Sequence, residues 1–222
     1  NKSANQQIYK STNIKIMKHL IVFLLATFSF STFGQTAYEK GMQSAMGLWS
    51  EGKNSEAVAM FERIAAAEKD NWLPNYYVAL VSTTTAFATK DKTQIDALLK
   101  KAQAALDIEL KKQANHPELL VMQAMIHTAW IAFDPMTNGM KLSGTVMEIY
   151  GKAEAIAPEN PRVVLSKTEF EMGSAKFFGT DTKPLCAKAE RAVELFATFK
   201  AESAFHPNWG LDRAQSIVAA CK

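Results

Sequence analysis

The sequence predicts an all-helical protein made of tandem helical hairpins, and three observations lead to that fold class. Apolar residues recur at helical spacing along almost the whole chain after Gln35, and no stretch alternates in the manner of a β-strand. Prolines recur at intervals of 43, 44 and 46 residues, in the pairs Leu73-Pro74, His116-Pro117, Asn160-Pro161 and His206-Pro207. A length of 222 residues, 48% of them hydrophobic, suits one short array of repeats.

The N-terminal region has the features of an export signal. Met17 precedes a short basic stretch and the apolar run 20–30, after which small residues stand at Thr32 and Gly34, where a signal peptidase would cleave. We therefore expect residues 1–16 to be an upstream extension and residues 17–34 to be a signal peptide. The alternative is a membrane anchor, but the run is shorter than the roughly 20 apolar residues that a spanning helix needs.

The mature chain is predicted to begin at Gln35 and to form a single helical repeat domain over residues 35–222. Four of the 25 basic residues and none of the 22 acidic residues precede Gln35, so 21 basic and 22 acidic residues remain. This balance gives no support to nucleic-acid binding. We expect a periplasmic or secreted protein that is not stably inserted in a membrane once the signal has been removed.

The prolines set the predicted helix boundaries. Proline is favoured at the first position of a helix, because its missing N–H would be unbonded there in any case. Each of the four prolines therefore predicts a helix start, and each interval has room for two helices. The predicted pairs are 36–50 with 55–69, 74–89 with 94–113, 117–132 with a helix that ends near 156, and 161–176 with 184–201, followed by a closing helix at 208–220.

Two segments resemble the tetratricopeptide repeat, known as TPR. In one, Tyr150 is followed by the small residue Ala153 and then by Pro158; in the other, Ala57 and Phe61 stand at the small and aromatic positions of a second repeat helix. The intervals here are longer than the usual 34 residues of that family. The resemblance implies a right-handed α-solenoid of about four hairpins with a C-terminal capping helix. It also implies an extended concave surface of the kind that binds a protein or peptide.

The third and fourth hairpin turns are the candidate partner-binding edge. They are predicted at 134–139 and 179–183. The residues that would form this binding edge are the apolar ones in or beside the two turns: Met136, Met140, Phe177 and Phe178. Turns that join the two helices of a repeat emerge on one edge, where partners often dock. The alternative is that the two phenylalanines tuck under their turn as a satellite of the core.

Two cysteines, Cys186 and Cys221, could form a disulfide in an oxidising compartment, or they could be separate small residues of the core. His127 lies near several methionines, a combination of ligands that suits Cu(I), but methionine at helical spacing is usually core filling. No metal and no cofactor is predicted. His116 and His206 precede prolines and are expected to cap helices or to face solvent.

No nucleophile elbow, phosphate-binding glycine loop or HExxH motif occurs in the sequence. The chain is therefore predicted not to be an enzyme. The leading hypothesis is a non-catalytic scaffold of the cell envelope that binds a protein or peptide. The alternatives are a periplasmic protein that binds a small molecule or a metal ligand, and an enzyme whose site leaves no local motif.

Overall fold

A computed structural model describes residues 36–221 of the chain, and that part contains nine α-helices and no β-strand. The predicted extension and signal peptide lie outside the described residues. The chain divides into two compact units after Gly41, within the first helix. The helices are α1 (Thr36–Ser50), α2 (Asn54–Ala67), α3 (Leu73–Ala88), α4 (Lys92–Lys112), α5 (Pro117–Phe133), α6 (Pro135–Ile156), α7 (Pro161–Phe178), α8 (Lys183–Thr198) and α9 (Leu211–Ala220).

The helices of the second unit form a stack of hairpins. From α2 to α9, each helix packs against the next one in the chain, and α5 also packs against both α3 and α7. Helices α3, α5 and α7 are therefore the inner layer of the stack. The predicted all-α solenoid of hairpins with a closing helix is confirmed. Among the described residues, no helix is long and apolar enough to cross a bilayer.

The composition of the helices explains which of them lie inside. In α5 the apolar residues occupy every side, and eight of its residues are buried. A helix that is apolar all round must be surrounded by other elements. In α8 only Ala189 and Ala192 are buried, so this helix packs through one narrow face and exposes the rest.

Two of the predicted boundaries are wrong. Residues 135–139 are not a turn but the first part of α6, because Pro135 begins a new helix directly after the single break residue Asp134. The Asp134 side chain accepts a hydrogen bond from the Thr137 N–H at 3.1 Å and so caps that helix. The closing helix begins at Leu211 rather than at residue 208.

His206-Pro207 therefore does not start a helix but lies in an irregular segment, residues 199–210, which we call the strap. The strap packs on the beginning of α3. The Tyr77 hydroxyl donates to the Phe205 carbonyl at 2.9 Å, and the Trp209 indole N–H donates to the Tyr76 hydroxyl at 2.8 Å. These bonds join the C-terminal part of the chain to the second hairpin.

Helix α9 closes the end of the stack against α7 and α8. Its buried residues Ala214 and Ile217 belong to one apolar cluster with Leu165 of α7. A disulfide joins Cys186 of α8 to Cys221 directly after α9, with Cα atoms 6.0 Å apart. The terminal helix is thus held both by apolar packing and by a covalent bond.

Candidate functional site

An open groove of about 740 Å³ runs between α6, α7 and α8. Small residues of α6 and α7 line it, together with larger apolar side chains from all three helices. The lining residues are Ser143, Gly144, Met147, Phe170, Glu171, Ser174, Ala175, Phe178, Thr180, Asp181, Pro184, Leu185 and Lys188. This size lies within the range of about 300 to 1,000 Å³ that is usual for sites of small ligands.

Helix α6 presents a row of methionines beside the groove. Met136, Met140, Gly144 and Met147 are spaced by four, four and three residues, so they share one helix face. Met136 is 77% exposed, Met140 is 91% exposed and Met147 is 38% exposed. Two of the predicted edge residues, Met136 and Met140, are therefore exposed, but they lie on a helix and not in a turn.

Phe177 and Phe178 end helix α7 beside the other wall of the groove. They are 63% and 74% exposed, and their rings meet edge to face with centroids 5.2 Å apart. Gly179 then ends the helix with a φ of +69°, a left-handed conformation that suits glycine. The structure thus places both phenylalanines on the surface rather than beneath a turn, and Phe178 lines the groove.

Three charged side chains line the groove: Glu171, Asp181 and Lys188. Lys188 of α8 forms an ion pair with Glu171 of α7, with 2.7 Å between Nζ and Oε2. Asp181 accepts a hydrogen bond from the Lys183 N–H at 2.9 Å, at the start of α8. The sequence offered no local signal for Glu171 or Lys188, because they come together only when α7 and α8 pack.

The groove offers thioether and carboxylate groups as metal ligands but no imidazole or thiol. In the part of the chain that the structure describes, no three His, Cys, Asp or Glu side chains are grouped to hold a metal ion. His127 is half-buried on α5, where its Nε2 lies 3.0 Å from the Gln123 amide nitrogen. Burial lowers the pKa of His127 below its usual range.

A second polar cluster is buried at the beginnings of α5 and α7. Glu118 pairs with Arg162, whose Nε donates to both carboxylate oxygens at 2.9 Å. Asn160 caps α7 and also donates through Nδ2 to Glu118 at 2.7 Å. His206 of the strap lies with Nε2 3.9 Å from a Glu118 oxygen.

The two histidines of this cluster are not where they were expected. His206 is buried, with its imidazole 5.9 Å from Trp72 and 5.6 Å from Phe199, ring centroid to ring centroid. His116 precedes α5 but makes no capping hydrogen bond, and its ring packs on Trp72 at 4.4 Å. The sequence interpretation failed because the strap folds over the helix starts and excludes water from them.

Burial governs the protonation of the cluster. It lowers the pKa of His206 and of His116, because a charged imidazole loses hydration there. Burial likewise raises the pKa of the Tyr76 phenol well above its usual range, and the negative charge of Glu118 adds to this effect. The side chains of Arg162 and Glu118 are 0% and 2% exposed, which is typical of a structural ion pair.

Two solved structures are similar to this chain. One is the HusA haemophore from Porphyromonas gingivalis, with a TM-score of 0.72 and 23% sequence identity, covering 86% of this chain and 96% of that one. The other is a thermophilic TPR protein from Thermus thermophilus, with a TM-score of 0.54 and 11% identity, covering 83% of this chain and 98% of that one. No protein-family model and no curated protein matches the sequence. These likenesses establish the TPR-like fold.

Proposed function

We propose that this chain is an exported, non-catalytic binding protein whose groove between α6, α7 and α8 binds a planar apolar ligand of the haem class. The observation that carries the proposal is that two exposed large apolar side chains, Phe178 and Met147, line one groove together with small residues of α6 and α7. A flat molecule bound in this groove would cover both side chains with apolar contacts.

The chemistry of the lining favours a flat aromatic molecule. Aromatic rings stack on aromatic faces, and a methionine side chain adapts its shape to a ring edge or face. Contiguous exposed apolar surface of this kind commonly marks a binding site. Each large side chain that a ligand covers contributes on the order of 1.5 to 3 kcal/mol.

Among flat aromatic ligands, the structural similarity to a haemophore favours a tetrapyrrole. The Porphyromonas gingivalis protein is a haemophore and shares this fold over 96% of its length. Among the described lining residues, the thioether of Met147 is the soft group that could hold an iron atom, as methionine sulfur does in some haem proteins. The apolar walls therefore supply most of the affinity in this proposal.

The decisive test is a titration of haem and of iron-free protoporphyrin into the mature chain, followed by absorbance and by quenching of tryptophan fluorescence. Phe178→Ser should weaken binding of both by roughly 10- to 100-fold, as expected from the loss of one buried aromatic contact. Because Phe178 is 74% exposed without ligand, its replacement should leave the midpoint of thermal unfolding almost unchanged.

The matched control is Phe87→Ser, because Phe87 is a half-exposed phenylalanine at the end of α3, away from the groove. It should bind as the unaltered chain does. If Phe178→Ser unfolded readily, Phe178 would be part of the core and the binding role would be lost. Equal affinity for haem in all three proteins would place the ligand elsewhere.

A protein or peptide partner is the second candidate function. The observation in its favour is that the exposed methionine row continues along α6 beyond the groove, to Met140 and Met136, farther than one small ligand would reach. The TPR-like fold is used widely to bind peptides along helix faces. A pull-down from envelope extract with the intact chain and with Met136→Ser/Met140→Ser tests this function, and loss of a partner only in the variant would support it.

Export is part of the proposal, with residues 17–34 as the signal peptide and a single mature domain from Gln35 onward. The mass of the protein recovered from the periplasm or the culture medium tests it. A mass that matches a chain beginning at Gln35 supports export, whereas recovery of the uncleaved chain from the cytoplasm contradicts it.

A further inference from the structure

We infer that Lys188 determines how the ligand lies in the groove, by holding an acidic side group of the ligand at the α8 wall; this inference rests on the proposed function. Tetrapyrroles of the haem class carry two carboxylates on one edge of an otherwise apolar disc. The position of a cation on the groove wall therefore decides which edge of the disc faces α8.

The charges along the groove single out Lys188. It is the one basic residue among the described lining residues, whereas Glu171 and Asp181 are acidic. A ligand carboxylate placed beside Asp181 would be repelled, and at Lys188 it would be attracted. The lining charges thus favour one orientation of a molecule whose carboxylates lie on a single edge.

Lys188 is held in place while it remains accessible. Its Nζ lies 2.7 Å from Oε2 of Glu171, and the lysine side chain is 47% exposed while the glutamate side chain is 17% exposed. The less exposed carboxylate therefore fixes the ammonium group at the wall. An ammonium group has three N–H donors, so Lys188 can keep its bond to Glu171 and still donate to a ligand carboxylate from the open side.

Glu171 moderates the attraction. Its negative charge partly cancels that of Lys188, so a ligand carboxylate is attracted less strongly than it would be by an unpaired lysine. Replacing Glu171 by glutamine would keep a polar side chain of the same shape and remove the competing charge. The inference therefore predicts opposite effects for two neighbouring substitutions, which a general disturbance of the groove would not produce.

The experiment compares iron-free protoporphyrin IX with its dimethyl ester, in the same dilute detergent, on the mature chain. Lys188→Gln should weaken binding of the dicarboxylate by about 2- to 5-fold, the effect of one half-exposed charge pair, and should leave binding of the diester unchanged. Glu171→Gln should strengthen binding of the dicarboxylate and also leave the diester unchanged. Lys188→Arg should keep the preference for the dicarboxylate.

Lys101→Gln is the matched control, because Lys101 is a lysine of similar exposure that pairs with Glu62 of another helix away from the groove. It should alter neither affinity. If Lys188→Gln weakened binding of the acid and of the ester equally, Lys188 would affect only the shape of the groove and the inference would be overturned. Unchanged affinity of this variant for both ligands would overturn it too. Failure of the unaltered chain to bind both porphyrins would instead overturn the proposed function.

Discussion

Glu118 and Arg162 form a buried ion pair between equivalent positions of consecutive repeats. Each directly follows a repeat proline, Pro117 or Pro161, and their side chains are 2% and 0% exposed. The Arg162 guanidinium also lies 4.4 Å above the ring of Phe199 in the strap. This pair of side chains thus joins α5, α7 and the strap. It holds two repeats together and holds the strap against them.

Replacing Glu118 by alanine should lower the free energy of unfolding by about 3 to 5 kcal/mol, because Arg162 would remain buried without its partner. Urea denaturation at pH 7.5 measures this loss. Asp96→Asn is the control, since Asp96 forms an exposed pair with Lys100, and it should cost less than about 1 kcal/mol. A loss below about 1 kcal/mol in Glu118→Ala would contradict a structural role for the pair.

The sequence predicts where the two members of this pair lie along the chain, but not that they contact each other. The spacing of Pro117 and Pro161 predicted equivalent helix starts, and the residues that follow them carry opposite charges. That they face each other depends on how α5 and α7 stack, which no local pattern encodes. The burial of the pair depends further on the strap. Because His206-Pro207 continues the proline interval, the sequence predicts that the closing helix begins at residue 208, whereas the strap extends to residue 210.

Acidification should destabilise the fold through His206 and His116. The pKa values of His206 and His116 are lowered in the folded chain, whereas the unfolded chain has ordinary values near 6.5. The unfolded state therefore binds more protons as the pH falls below about 6.5, and the free energy of unfolding decreases in that range. Chemical denaturation at pH 7.5 and pH 5.5 should show this decrease.

The imidazole of His206 faces groups of both signs. Glu118 and Glu202 favour its charged form, whereas burial and Arg162 oppose it, and burial has the largest effect. His206→Gln should therefore reduce the difference in unfolding free energy between pH 7.5 and pH 5.5. An unchanged difference in this variant would mean that other groups cause the acid sensitivity.

Reduction of the disulfide should loosen α9 before the rest of the fold. The bond between Cys186 and Cys221 spans 35 residues, and closing a loop of that size stabilises a chain by about 3 to 4 kcal/mol in the chain-entropy account. The double variant Cys186→Ser/Cys221→Ser should therefore have a free energy of unfolding lower by about 3 to 4 kcal/mol, measured as a lower urea midpoint. Amide exchange should rise most in α9, and uniform exchange over all helices would contradict a local role.

The groove illustrates why the site was less predictable than the fold. The argument that turns collect on an edge predicts one binding edge from four residues, all of which are exposed: Met136, Met140, Phe177 and Phe178. Of these, only Phe178 is among the described residues that line the groove. Met147 and Lys188 were not found, since they stand within helices whose exposed faces become walls only after α6, α7 and α8 pack. Helical periodicity predicts which side of a helix is buried, but not which exposed sides meet.

Gly210 should tolerate replacement by alanine less well than the other glycines of the described chain. It has a φ of +114° directly before α9, and a Cβ atom there would lie 2.7 Å from the Phe196 ring and 3.0 Å from a Leu165 methyl group. Both the backbone conformation and the contact oppose a side chain, so Gly210→Ala should cost about 1 to 3 kcal/mol. Gly151→Ala, inside α6 with open space around it, should instead stabilise the chain by about 0.5 to 1 kcal/mol. Thermal unfolding of the two variants should therefore shift in opposite directions, and a shift in the same direction would mean that the strap does not enter α9 by this close approach.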